Sequence, residues 1–289
     1  MKTLLPQSAV FPDMGKLSRK ISYIKSQGPE RLHVITDFDR TLTMPVTPEG
    51  AHNSTWNSTM HVLGEEYACK KQELFDYYHP MWRGQDMDPA KKAELMMEWS
   101  IGNFALLVEH GMTRQSMREI VERDLVHPRE GVNEFFAMLS SAGVPSLVFS
   151  AGLADIIEEY FISEGLMQPQ ENEGYKEVHV VGNYCIFDEE GRFVGCREPM
   201  IHSCNKNEGI LNGALYADEM RKRPNVLLLG DSLEDAEMCS GIDHEAVVRV
   251  GYISEETRIY MGDYLRLFDA VIDNQFSMGY ARELLEELL

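Results

Sequence analysis

"LHVITDFDRTLTM", residues 32–44, drives an apolar run, Leu32 to Ile35, into two aspartates one residue apart, Asp37 and Asp39. Side chains alternate along a strand, so residues two apart share a face. If the extended geometry persists past Thr36, both carboxylates point one way and Phe38 packs opposite. Two like charges roughly 5 Å apart repel by about 3 kcal/mol at an effective dielectric near 20. Either a cation offsets that repulsion or one carboxyl keeps its proton. A hard divalent cation with oxygen ligands, such as Mg²⁺, does so best. A solvated pair closing a turn at the strand end is the plain alternative, and the rest of the chain has to decide.

Further apolar runs recur along the 289 residues: "VPSLVFSAG" from Val144, "VHVVGNYCIF" from Val178, "NVLLLGDS" from Asn225, "EAVVRVG" from Glu245 and "DAVID" from Asp269. Those at 32, 144 and 225 are nearly continuous, as parallel strands covered on both faces require. Helical patterns alternate with them: "EGVNEFFAMLSSAG" stopping at Gly143, "LADIIEEYFISEG" stopping at Gly165, and "NKNEGILNGALYADEM". The fold class expected is therefore α/β, a doubly wound, Rossmann-like parallel sheet whose ligands sit at the carboxyl ends of the strands. "IFDEEGRFVG" reads as a β-hairpin about Glu190-Gly191.

One interval breaks the rhythm. Residues 44–127 hold helical windows such as "KKQELFDYY" and "KKAELMMEWSIGNFALLVE" between the breakers "PVTPEG" and "VHPREG". We expect a discontinuous core, residues 1–43 and 128–289, with a helical cap inserted after the first strand at 44–127. Within the core, residues 1–25 are expected to form an N-terminal extension with a helix, its start, residues 1–16, reading as a loose terminus. Five basic residues against one acid in that stretch leave a weak organelle-targeting reading beside the cytoplasmic one.

A net charge of −20 argues against a nucleic-acid polymer partner, whose phosphates need a basic surface. No apolar run is long enough to span a membrane, and five scattered cysteines without C-x-x-C spacing suit a reducing compartment and no structural zinc. "NSTWNST" holds two glycosylation sequons, at Asn53 and Asn57, and reads as a polar loop. The expected partner is a small anionic substrate, if the site supplies its own cations, with the chain a monomer.

Residues that phosphate chemistry needs follow the other strands. Ser150 comes after "SLVF" at a helix start, where a hydroxyl and backbone N–H groups can grip a phosphoryl oxygen or simply cap the helix. Lys206 stands at another helix start, a poor place for a cation beside the helix dipole. Asp231 follows "NVLLLG", with Asp235 one turn on.

In this order, D-x-D-x-T, Ser, Lys, G-D-x-x-x-D, the chain resembles the haloacid dehalogenase-like phosphohydrolases. "ISYIKSQGPERLHVITDFDRTLT", "MMEWSIGNFALLV", "LVFSAGLADIIEE", "IHSCNKNEG" and "LLLGDSLEDAEM" narrow the likeness to the cytosolic pyrimidine 5′-nucleotidase family, 5′-nucleotidase type III, over roughly residues 16–289. The resemblance implies Asp37 as nucleophile and Asp39 as general acid/base, with Thr41 and Thr43 in the same motif. It implies Mg²⁺ held by Asp37, Asp231 and the Asp39 backbone carbonyl. Ser150, Ala151 and Lys206 would bind the phosphoryl group, and Asp235 would orient Lys206 or the metal shell.

Base choice falls to the cap, which holds Trp56, Trp82 and Trp99. The family places a base-recognising Glu after a Tyr-Tyr pair; here Tyr77-Tyr78 is followed by "HPMWRGQ", with Met81 or Trp82 at that place and Asn103 where the family has Ser. The resemblance implies a pyrimidine, and this departure widens the expectation to other nucleotides or a smaller phosphate ester unless Asp86 or Asp88 supplies the acid. A phosphoserine-type phosphatase, a phospho-acceptor signalling domain and an idle scaffold are the rival readings.

Overall fold

Alternation of apolar residues decides which side of the sheet each strand residue covers. The computed structural model describes residues 9–82, 87–167, 178–211, 217–273 and 276–289. Its strands are β1 (Ala9–Val10), β2 (Leu32–Thr36), β3 (Ser146–Leu153), β4 (Val178–Asn183), β5 (Cys185–Phe187), β6 (Phe193–Cys196), β7 (Asn225–Gly230), β8 (Ala246–Tyr252) and β9 (Ala270–Ile272). Among the described residues, a seven-stranded sheet runs β1-β9-β8-β7-β2-β3-β4. It is parallel throughout except for β1, which pairs antiparallel with β9. Val34, Leu227 and Leu229 enter one apolar cluster while Ile35, Val226 and Leu228 enter the other, so β2 and β7 are covered on both faces.

The helices are α1 (Met14–Gln27), α2 (Thr55–Ser58), α3 (Met60–Leu63), α4 (Glu65–Trp82), α5 (Pro89–Glu109), α6 (Arg114–Glu122), α7 (Val132–Ala142), α8 (Ala154–Ser163), α9 (Ala217–Arg221), α10 (Met261–Leu267) and α11 (Gly279–Leu288). Helices α1, α7, α8 and α11 cover one face, and α9 and α10 the other. Between β2 and β3 the described elements are helices, α2 to α7. The ends of the 44–127 interval lie side by side, with Met44 N–H donating to the His127 carbonyl at 2.9 Å. Asn53 Nδ2 donates to the carbonyls of both Met44 and His127 at 2.9 Å. Within the interval α4 packs on α5, and the close approach uses Gly102, where a Cβ would stand 3.0 Å from the Leu74 side chain.

Topology places the functional crevice. From β2 the chain builds outward through β3 and β4, then returns to β7 on the other side of β2. Strand order therefore reverses at β2, and loops leaving its carboxyl end diverge from those of its neighbours, opening a gap for a ligand.

Four local expectations differ from the structure. Residues 9–16 are not loose: β1 completes the sheet edge and Asp13 caps α1, the helix expected in this extension, which buries Leu17 and Ile24. "NSTWNST" is not a polar loop but contains α2, capped by Ser54 and buried at Thr55, Trp56 and Ser58. Ser150 lies inside β3 and does not cap a helix; α8 starts at Ala154 with Leu153 at its N-cap position. Lys206 precedes a 3₁₀ turn, Glu208–Leu211, in place of the expected helix start; Asn and Gly in "NKNEG" are poor helix formers, and residues 212–216 of that expected helix lie outside the described residues. The hairpin around Gly191 is present as β5 and β6.

Candidate active site

The β2 ladder runs one residue past the strand, since Asp37 N–H donates to the Leu229 carbonyl at 3.0 Å. The chain then turns. The Phe38 carbonyl accepts from the N–H groups of Thr41, Leu42 and Thr43, and Arg40 takes a left-handed φ of 65°. Extended geometry therefore ends before Asp39, and a tight loop rather than strand alternation brings it beside Asp37. Thr43 Oγ1 accepts from Arg40 N–H at 2.7 Å, and buried Arg129 donates to the carbonyls of Thr41 and Arg40 at 2.8 Å each. Thr41 Oγ1 faces Asp231 Oδ1 at 3.4 Å.

Lys206 enters from the loop after the hairpin. Its ammonium, 5% exposed, donates to Asp37 Oδ1 and Asp235 Oδ1 at 2.7 Å each. Asp235 Oδ2 in turn accepts from the N–H groups of Asp231 at 3.1 Å and Ser232 at 2.9 Å, which leaves both its oxygens engaged. Arg40 Nε lies 3.1 Å from Asp231 Oδ2.

These contacts set the protonation of the floor. Burial pushes Asp37 up to about 8, opposed by Lys206 and reinforced by Asp235 and Asp231. Asp231 is also raised by burial, with Arg40 opposing. For Asp235, burial is outweighed by the charge and hydrogen bond of Lys206 and by Ser232, so its carboxyl lies below its ordinary value. Burial works against the Lys206 charge too, but Asp235 and Asp37 hold its pKa above the usual lysine range. Asp37, Asp231 and Asp235 offer oxygens within 4.8 Å of one another. With Asp39 there are four carboxyl groups against two cationic side chains, Lys206 and Arg40. An all-oxygen donor set with that deficit of positive charge fits a hard divalent cation.

Asp39 is fixed by a residue that sequence patterning missed. Thr55, at the start of α2, donates its N–H to Asp39 Oδ1 at 2.8 Å and its hydroxyl to Oδ2 at 2.9 Å. Burial and the Asp37 charge raise Asp39 to about 6, while both Thr55 bonds oppose the rise. Opposite lies Ser150, whose hydroxyl accepts from Gly152 N–H at 3.0 Å and so keeps its proton available to an acceptor. The Ala151 carbonyl accepts from Trp56 Nε1 at 3.0 Å and Asn183 Nδ2 at 2.9 Å, which holds this peptide in place.

Above this floor is a cavity of about 500 Å³ bounded by Asp37, Asp39, Ser150, Lys206 and Asp231 below and by α2, α4 and α5 side chains around it. Phe75, Met96 and Trp99 supply apolar wall, with Trp56 largely buried behind and packed edge-on to Phe104 at 5.1 Å. Asn103 lines the wall and donates Nδ2 to the Trp99 carbonyl at 2.9 Å. Lys71 also lines it, its ammonium donating to the Trp56 carbonyl at 2.9 Å; burial lowers it to about 7. Lys92 on α5 pairs with Glu234 at 2.5 Å. Trp82 ends α4, and its side chain lies outside the described residues, as does Asp86. Asp88 caps α5 through the N–H groups of Ala90 and Lys91 and is not among the cavity residues.

The family model for pyrimidine 5′-nucleotidase (UMPH-1) matches residues 47–289. The 7-methylguanosine phosphate-specific 5′-nucleotidase of Gallus gallus is 32% identical over 278 residues, spanning 93% of this chain and 92% of that protein. The Homo sapiens protein of the same name is 26% identical over 294 residues, spanning 100% and 95%. Among solved structures, cytosolic 5′-nucleotidase IIIB bound to cytidine superposes with a TM-score of 0.86 at 28% identity, covering 99% of this chain and 95% of that one. A substrate-bound phosphoserine phosphatase, at 16% identity and a TM-score of 0.52, shares the fold alone.

Proposed function

The chain belongs to the pyrimidine 5′-nucleotidase (UMPH-1) family, phosphoric monoester hydrolases on a haloacid dehalogenase-like fold, and from that premise we propose that it converts nucleoside 5′-monophosphates to nucleoside and phosphate through an aspartyl phosphate on Asp37. The observation that carries the reading is the Lys206 ammonium bridging Asp37 and Asp235 beneath an aromatic-walled cavity of about 500 Å³. That volume lies within the roughly 300–1,000 Å³ of small-molecule sites. The walls offer stacking surface for a base, worth about 1–3 kcal/mol.

In this reading Lys206 holds Asp37 Oδ1 and the other oxygen attacks phosphorus. As the bond from phosphorus to the 5′-oxygen breaks, Asp39 gives its proton to the leaving oxygen. Asp39 then takes a proton from water, whose oxygen attacks phosphorus, and the Asp37 carboxylate and inorganic phosphate are released. A pKa of about 6 suits a group that must serve as acid and then as base near neutrality. Ser150 and Lys206 donate to the phosphoryl oxygens as charge redistributes. Asp37, Asp231 and the Asp39 carbonyl would hold Mg²⁺, which supplies Lewis-acid neutralisation of the phosphate.

Residues 44–127 act as the cap that selects the base, with Trp99, Asn103 and Lys71 facing it. With Asp88 committed to helix capping, the base meets the Lys71 donor and the Asn103 amide on this wall. That wall favours bases presenting carbonyl acceptors, and the names of the relatives make 7-methylguanosine 5′-monophosphate a substrate to compare with the pyrimidine nucleotides. A cytoplasmic location accords with relatives named cytosolic, and among the described residues no helix is long and apolar enough to cross a membrane.

Phosphate release with Mg²⁺ from CMP, UMP, 7-methylguanosine 5′-monophosphate, 3′-monophosphates and phosphoserine tests the proposal. Turnover of 5′-monophosphates well above the 3′-isomers and phosphoserine is expected; release from phosphoserine alone overturns it.

A further inference from the structure

At the amino end of β2, away from the cavity, a second set of ligand-bearing side chains converges. His33 is fully buried, and its Nδ1 lies 2.7 Å from the Arg223 carbonyl. A carbonyl only accepts, so Nδ1 carries the proton and Nε2 of the neutral ring presents its lone pair. That lone pair faces Glu208 Oε1 at 3.6 Å. Both atoms are buried and neither has a hydrogen-bond partner among the described residues. His244, from the loop before β8, brings its Nε2 to 2.6 Å from Glu208 Oε2. The two imidazole rings are 5.6 Å apart, and the three residues offer ligand atoms all within 4.8 Å of one another.

An imidazole lone pair set against a carboxylate oxygen is unfavourable in a dry interior. A proton on Nε2 would turn the contact into an ion pair, though at 3.6 Å not a hydrogen bond. A metal ion between the two atoms satisfies both. Ligands about 2.0–2.1 Å from one tetrahedral zinc stand about 3.3 Å from each other, near the 3.6 Å between His33 Nε2 and Glu208 Oε1, while the 2.6 Å His244–Glu208 hydrogen bond would open to admit the ion.

We propose that His33, Glu208 and His244 form a second metal site, for Zn²⁺ or a similar borderline transition metal. Its ligand chemistry separates it from the carboxylate floor, since two imidazoles with one carboxylate select zinc-like ions and oxygen-only sets select magnesium. The ion would join three segments far apart in sequence: the head of β2, the loop before β8 and the turn two residues beyond Lys206. Glu208 N–H already donates to the Met238 carbonyl at 3.1 Å, so this turn is anchored on the side that delivers the Lys206 ammonium.

The test uses the full chain stripped with a chelator, reloaded with Zn²⁺ in excess Mg²⁺ and desalted, with bound zinc read by elemental analysis and stability by thermal melting. Wild type and Asp231→Asn should each retain one zinc per chain and melt several degrees higher than the stripped protein. His33→Gln and His244→Asn should each lose about 100-fold or more in zinc affinity and the zinc-dependent rise in melting temperature. Zinc retained by His244→Asn, zinc lost in Asp231→Asn, or no zinc-dependent shift in wild type overturns the proposal. If either histidine variant fails to fold, Co²⁺ added to the stripped wild type decides. A visible tetrahedral absorption in excess Mg²⁺ that Zn²⁺ displaces supports the site, and its absence overturns it.

Discussion

Thr55 grips both oxygens of Asp39, one with its backbone N–H at 2.8 Å and the other with its hydroxyl at 2.9 Å. Both bonds favour the charged carboxylate, so removing the hydroxyl raises the Asp39 pKa above its present value of about 6. Thr55→Val should lower kcat about 10–100-fold and move the acidic limb of the pH–rate profile to higher pH, and Thr55→Ser should restore both. An unmoved limb in Thr55→Val would show that Asp39 is not the group that titrates in turnover.

Asp37→Asn should lose on the order of 10⁴-fold or more in kcat, and chelation should silence the wild type. Full phosphatase activity in either condition defeats the nucleophile or the metal assignment. The pH dependence of metal activation is sharper still. Burial places Asp37 at about 8 without a cation, so below that pH Mg²⁺ must displace a proton. The Mg²⁺ concentration for half-activation should fall about tenfold per unit as pH rises from 6 to 8 and level off above. A requirement that stays flat over that range is incompatible with Asp37 as a ligand.

Lys71 trades stability for its place in the wall. Its folded pKa of about 7 lies below the ordinary 10.5. Below pH 7 both states are protonated and the fold carries the whole penalty of a buried ammonium. Between pH 7 and 10 only the unfolded chain keeps the proton, so the penalty shrinks by up to about 1.4 kcal/mol per unit. Lys71→Met should melt higher than wild type at pH 6–7, with the gap closing towards pH 10, and should raise KM for the nucleotide more than it lowers kcat. A gap independent of pH would mean that the lysine is not desolvated.

Gly152→Ala tests the packing around Asp39. The new Cβ would stand 2.3 Å from Thr55 Oγ1, 2.9 Å from Asp39 Oδ2 and 3.1 Å from Ser150 Oγ. Displacing these groups should cost about 10²-fold in kcat, comparable to a misplacement of about 1 Å, with a melting temperature within a few degrees of wild type. Wild-type kcat in this variant would show that Thr55 and Asp39 need not keep their present contact.

The architecture was legible wherever local pattern and long-range contact agree. Continuous apolar runs at Leu32 and Asn225 predicted a sheet covered on both faces, and α7 and α8 stop near the expected glycines, Gly143 and Gly165. Asp37, Ser150, Lys206 and Asp231 were findable because each follows or borders an element that a pattern already marks. Thr55 was not: its segment looks like a polar loop, and only a contact spanning 16 residues back to Asp39 gives it a role. Arg129 is hidden for the same reason, since its partners are backbone carbonyls 88 and 89 residues away, which leave no trace in residue type. Ser150 was recognised but misplaced, because hydroxyls favour helix caps and β3 instead continues three residues beyond it.

Asp39 and Thr55 belong to different halves of any modular description of the chain, one before residue 44 and the other after it. A chimera that exchanges the helical segment with that of a relative at the obvious sequence joints would replace the Thr55 contact to Asp39 along with the cavity wall. Splicing downstream of Ser58 keeps α2 with its host and lets the rest be traded. On the proposed reading, substrate range can then be re-engineered without touching the chemistry beneath it.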